Sequence, residues 1–124
     1  MGSSALVKSL GTGVVMQLVM VGIGKFVPSL GSMPNFYAIC GTALATITGA
    51  LVAKASPGAA AASVATNGAI AGGASSIVGG LAAVATGQWP GFQIVQLLIP
   101  ALSGAVGGGA GGFLSRMLSP AKKA

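Results

Sequence analysis

The sequence predicts an all-α transmembrane fold, about four apolar helices arranged as two helical hairpins with Gly/Ala-mediated packing. Three observations predict it. Charged residues make up 5% of 124 positions and none is acidic, whereas a soluble domain carries roughly 25% charged residues. The chain divides into long runs of apolar and small residues with cations at or near their ends. Within three of these runs small residues recur every four positions, which puts them on one helical face. The whole chain, 1–124, reads as a single membrane domain with spans at 9–27, 36–53, 59–86 and 92–115 and a short basic tail at 116–124.

The first run, Ser9 to Val27, lies beside Lys8 and contains Lys25 near its end. It reaches across a hydrocarbon core of about 30 Å if both lysines extend toward the headgroups. Pro28 stops it, and PSLGSMPN is a turn by its Pro, Gly and Ser content. Lys8, the apolar run and the small residues near Ser29 and Gly31 share features of a signal peptide; we read the segment as the first spanning helix. Leu6 stands where a myristoylation signal needs Ser or Thr.

The second run, Phe36 to Ala53, has Asn35 as its expected N-cap and Phe36 and Tyr37 at its start. Aromatic residues with a polar edge favour the membrane interface. Lys54 closes the run and Ser56-Pro57-Gly58 makes a tight connection. The third run, Ala59 to Thr86, is rich in Ala and Gly and carries Ser63, Thr66, Asn67, Ser75 and Ser76. It predicts a helix buried among other helices. GQWPG, residues 87–91, breaks the chain, with Trp89 at headgroup depth. The fourth run, Phe92 to Ser115, contains Pro100, which predicts a kink or a split into a short interfacial helix and a spanning one. A faint repeat links the two halves: Pro34 and Phe36 match Pro90 and Phe92, and Ser56-Pro57 matches Ser119-Pro120.

Four spans put Lys8, Lys54, Arg116, Lys122 and Lys123 on one side and Lys25 on the other. The positive-inside rule makes the five-cation side cytoplasmic. With a net charge of +6 and no internal acid, those five groups are expected to contact phosphates, in lipid headgroups or nucleic acid. The small-residue stripes are Gly41, Ala45, Gly49 and Ala53; Gly68, Gly72, Ser76 and Gly80; and Gly104, Gly108 and Gly112, the last doubled by Gly107 and Gly111. Such faces let helix backbones approach closely in lipid.

The missing residue types exclude most chemistry. General acid–base catalysis near neutral pH mostly uses His, Asp or Glu. Magnesium and calcium sites need carboxylates, and zinc sites need several Cys or His ligands. Cys40 is alone, so no intrachain disulfide forms, and it reads as a small packing residue. No catalytic, cofactor-binding or metal site is expected, and no enzyme. Two glycine motifs fail on context. Gly107, Gly109 and Gly112 satisfy G-x-G-x-x-G, but no acidic residue follows to hold a ribose. GIGKF, residues 22–26, lacks the first Gly and the Ser or Thr of a phosphate-binding loop.

In short length, multiple spans, the absence of a soluble domain and basic ends, the chain resembles the small membrane proteins of phages with an internal lipid bilayer, of the corticovirus and tectivirus kind. The resemblance is by type and covers the whole chain without a diagnostic motif. It implies a structural protein of a virion inner membrane, self-associating in the bilayer, with capsid protein on one face and genome on the other. The basic ends would then face the genome, or the cytoplasm if the chain sits in the host membrane. Phe36, Tyr37 and Trp89 would occupy the opposite interface. The alternative from another class is a holin-like or pore-forming protein, which is also short, multi-spanning and basic at its end. A pilin-like filament subunit is a third reading, poorer because no lysine lies between the last two runs.

Overall fold

The computed structural model describes residues 3–27, 29, 36–87 and 97–118, with side chains from residue 6 in the first segment and residue 39 in the third. Within them the chain forms four helices: α1 (Ser3–Phe26), α2 (Phe36–Ala55), α3 (Ala61–Ala85) and α4 (Leu98–Leu118). Three are long and apolar enough to cross a membrane: α1 over Leu6–Phe26, α3 over Ala61–Ala85 and α4 over Leu98–Leu118. The described apolar part of α2, Ile39–Ala55, is shorter. Asn35, Trp89, Lys122, Lys123 and most of the residues carrying the expected repeat lie outside the described set.

Local chemistry explains the helix ends. Chain reversal between α2 and α3 is closed by Ser56 N–H donating to Ala53 O at 3.2 Å and Ala59 N–H donating to Ser56 O at 3.0 Å. Ala60 then precedes α3 in an extended conformation, φ −67° and ψ 155°, without a side-chain cap. At the far end of α3 the chain turns at Gly87, whose φ of +75° favours a residue without Cβ. Thr86 and Gly87 N–H groups donate to Ala82 O and Val84 O there, using carbonyls the helix itself leaves open.

The fourth helix is described from Leu98 to Leu118, and residues 92–96 of the expected run lie outside the described set. Pro100 is the third residue of that described helix. Within a first turn a missing N–H removes no intrahelical bond, which is compatible with the split that the sequence offered beside a kink. The third helix starts at Ala61 rather than Ala59.

Contacts fix the arrangement. Gly13 and Gln17 of α1 meet Thr48 and Gly41 of α2 respectively, so these helices are antiparallel. Gly72 meets Gly104, and Gly112 meets Val64, so α3 and α4 are antiparallel too. Thr42 and Thr46 of α2 face Gly107 and Gly111 of α4 in ascending order, so α2 and α4 run parallel. Every pair packs together except α1 with α4. Among the described residues the bundle is thus a rhombus, with α2 and α3 across its short diagonal and α1 and α4 at the outer corners.

The interior holds small apolar clusters around Val52, Val64, Met20 and Val21 together with enclosed polar groups. Its largest fully enclosed side chains are Gln17, Val52, Val64, Thr48 and Ser75. Large apolar side chains point outward, among them Val7, Val19, Ile39, Ile70, Leu102, Val106 at 72% exposure and Leu118 at 84%. A soluble protein hides such residues, whereas a bilayer solvates them and removes the hydrophobic force that would turn them in.

Candidate functional site: a glycine seam, a polar row and one basic end

The two triangular halves of the rhombus are filled differently. The half formed by α2, α3 and α4 is a seam of glycines. A Cβ built on Gly49 would overlap the Gly108 carbonyl and lie 2.9 Å from Gly108 Cα. One on Gly72 would lie 2.9 Å from Gly108 Cα, and one on Gly112 would lie 2.8 Å from Val64 O. Gly68 meets the Gly108 carbonyl, and Gly111 meets the Thr46 carbonyl. The structure thus brings Gly49, Gly68, Gly72, Gly104, Gly108 and Gly112 of the expected stripes to one place. Ala45 is enclosed beside Gly107, while Gly80 is half-buried. Gly41 instead faces α1, with an added Cβ 3.8 Å from Gln17 Oε1 and Met20 Cε.

The half formed by α1, α2 and α3 encloses Gln17 and Thr48, which the sequence reading did not single out, beside Ser75 and Ser76, which it placed in the third run. Gln17 is 2% exposed and donates from Nε2 to Gly41 O at 3.2 Å and to Ser76 Oγ at 3.4 Å. Thr48 and Ser75 are fully buried near it, and Gly13 leaves room for both hydroxyls. Gly79, rather than its neighbour Gly80, admits the Gln17 side chain. Ser76 touches both halves, accepting from Gln17 and packing against Gly104. The hydroxyls stay satisfied along their own helices. Thr48 Oγ1 donates to Leu44 O at 2.9 Å, and Ser75 Oγ to Gly72 O at 3.1 Å. A signal for this row existed in the sequence. Ser9, Gly13, Gln17 and Val21 are all buried and spaced by four, as in the other stripes.

Cations sit at both ends, most of them at one. Lys8 lies in the first turns of α1, whose Leu6 and Leu10 pack near Val52 and Ala53 at the end of α2. Lys54 lies in the last turn of α2 and Arg116 in the last turn of α4. These three therefore share an end, and Lys25 lies at the other. The side chains of Phe36 and Tyr37 are outside the described set, although both residues open α2.

Arg116 differs from the expectation of a headgroup or nucleic-acid contact. It is 9% exposed and turned into the bundle. Its Nη2 donates to Ala53 O at 3.1 Å and also to Ser56 O, while Nε is buried without a partner. The physical reason is the absence of any acidic side chain in the sequence. The last carbonyls of a helix lack intrahelical donors and carry the negative end of its dipole. For Arg116 the C-terminal end of α2 is the nearest available negative partner. Lys25 repeats the device at the opposite end, donating from Nζ to Thr86 O at 3.0 Å just past α3. Lys8 and Lys54 are exposed.

No protein-family model, curated protein or solved structure matches the chain.

Proposed function

We propose that this chain is a structural integral membrane protein whose role is packing and assembly rather than catalysis. In this reading all four helices span the bilayer as two hairpins, joined by Gly/Ala-mediated contacts between α2, α3 and α4. Helix α2 has 20 residues, a length of about 30 Å, which suffices for a hydrocarbon core. The observation that carries the reading is the surface of exposed Leu, Ile, Val and Phe side chains around helix contacts made largely by glycines and small polar groups, with only a few larger apolar residues such as Met20, Val52 and Val64 inside. The exposed Lys8 and Lys54, with the basic tail, present one positive end to an anionic partner, either lipid headgroups or nucleic acid. The resemblance to internal-membrane phage proteins supports the virion inner membrane as its location and the genome as that partner. The test is fractionation of the native protein. Recovery with the lipid of purified virions after alkaline extraction is expected; recovery only in the host cytoplasmic membrane removes the virion role, and recovery in the soluble fraction removes the membrane reading.

One observation favours the pore-forming alternative. Gln17, Thr48, Ser75 and Ser76 form a polar row inside the α1–α3 half, and α1 could move outward from it, since it makes no contact with α4. Rapid loss of membrane potential in cells making the protein would support that reading. Unchanged potential at full expression would exclude it.

A further inference from the structure

The α2–α4 junction carries a groove of about 370 Å³ on the outside of the bundle, lined by Thr46, Ile47, Ala50, Gly111, Leu114 and Leu118 among others. Its origin is the close approach of the two helices. Gly111 lies against the backbone of Thr46, so neither Gly111 nor the small Ala50 fills the space beside the seam. Ile47, Leu114 and Leu118, all exposed, form the walls. Two hydroxyls line it: Thr46 Oγ1, which donates to Thr42 O at 2.9 Å, and that of the half-buried Ser115 on α4. The rest of the lining is apolar, and the volume lies toward the small end of ligand pockets, roughly 300–1,000 Å³.

The charged end of this groove distinguishes it from the rest of the apolar surface. Ile47, Ala50 and Lys54 are spaced three and four apart, so they lie along one face of α2. Lys54 is exposed, one turn beyond Ala50, and no acidic side chain exists in the sequence to pair with it. Arg116, which shares this end, is already committed to Ala53 O and Ser56 O. The site thus combines a slot for a hydrocarbon chain with a free ammonium at headgroup depth. We propose that it holds an anionic phospholipid, with one acyl chain between α2 and α4 and the phosphate on Lys54. This rests on the membrane-spanning reading above.

The test is electron spin resonance of the full-length protein in phosphatidylcholine vesicles carrying a trace of spin-labelled lipid, either phosphatidylglycerol or phosphatidylcholine. The wild type should immobilise the phosphatidylglycerol probe about fivefold more strongly than the phosphatidylcholine probe, the size expected from one lysine at a lipid surface. Lys54→Gln should lower that preference more than Lys8→Gln, a change at the same end outside the groove, while leaving overall immobilisation; equal loss in the two variants would overturn the site. Ala50→Leu, which fills the slot, should reduce immobilisation of both probes. Circular dichroism and vesicle flotation accompany each variant. Equal immobilisation of both probes by a wild type that floats with the vesicles would overturn the lipid site and leave the membrane reading intact. Failure to float would overturn both. A shift from dimer to monomer on Ala50→Leu, without change in either probe, would assign the groove to a second copy of the chain and overturn the proposal.

Discussion

Replacing Gly108 with alanine should loosen the bundle more than any comparable change on its surface. An added Cβ there would meet the Gly68 carbonyl, with Gly68 C at 2.9 Å and Gly72 Cα at 3.0 Å, where ordinary contact begins near 3.4 Å. All of these are backbone atoms of a helix, so no rotamer change relieves the overlap. The seam must open by about half an ångström or more, enough to forfeit a quarter of the dispersion attraction across it. Overpacking of this kind costs about 1–3 kcal/mol, and Gly108 meets both Gly49 and Gly68, on different helices, which favours the upper end. Alanine returns about 1 kcal/mol through its better helix propensity. The net expectation is about 2 kcal/mol of destabilisation, or roughly thirtyfold in the folding equilibrium. Gly11→Ala is the control, because nothing lies within 4 Å of the added methyl; it should be neutral or stabilising by up to about 1 kcal/mol. Titration of the protein from mild detergent micelles into SDS, followed by the fluorescence of its single tryptophan, reads both. Equal midpoints for Gly108→Ala and Gly11→Ala would refute the idea that backbone proximity holds α2, α3 and α4 together.

Arg116→Gln should lower stability by about 2 kcal/mol in the same titration, since charge-assisted hydrogen bonds contribute about 1.5–3 kcal/mol; no loss would mean that the carbonyls at the end of α2 find other donors at no cost. Gln17→Leu and Ser76→Ala should each cost about 0.6 kcal/mol, the average for hydrogen bonds between membrane helices, and the double variant should cost less than their sum; strict additivity would argue against the Gln17–Ser76 bond. Lacking Asp, Glu and His, the chain has none of the side chains that ordinarily titrate between about pH 4 and pH 7. Its SDS midpoint should stay flat across that range, and a sigmoidal change would show that some other group is coupled to folding.

The helices were legible because charge is so scarce. Lysines and prolines bracket the apolar runs, and the interval from residue 55 to residue 115 contains no charge at all. The glycine stripes were legible for a related reason: a spacing of four survives in any helix, whatever it packs against. Which stripes meet was not legible, since Gly41 and Gly49 sit on one stripe yet face different helices. Only the crossing of α2 over both neighbours separates them. Gln17 escaped notice because its stripe, Ser9, Gly13, Gln17 and Val21, includes two residues that are not small. The spacing alone would have found it. Pro100 was legible as a break point in an apolar run, but the sequence left a kink and a split both open, since the cost of a proline depends on where the helix starts. The inward turn of Arg116 depends on the end of another helix, more than sixty residues earlier in the chain, and no local pattern encodes that pairing.

The proposed topology is a bundle that crosses the bilayer with Lys8, Lys54 and Arg116 at one end and Lys25 at the other. Replacing Cys40 with alanine and introducing Lys25→Cys or Lys54→Cys singly gives two reporters for a membrane-impermeant thiol reagent in sealed, uniformly oriented vesicles. The account predicts labelling of one variant from outside and of the other only after the membrane is opened. Labelling of both from the same side in intact vesicles would contradict it.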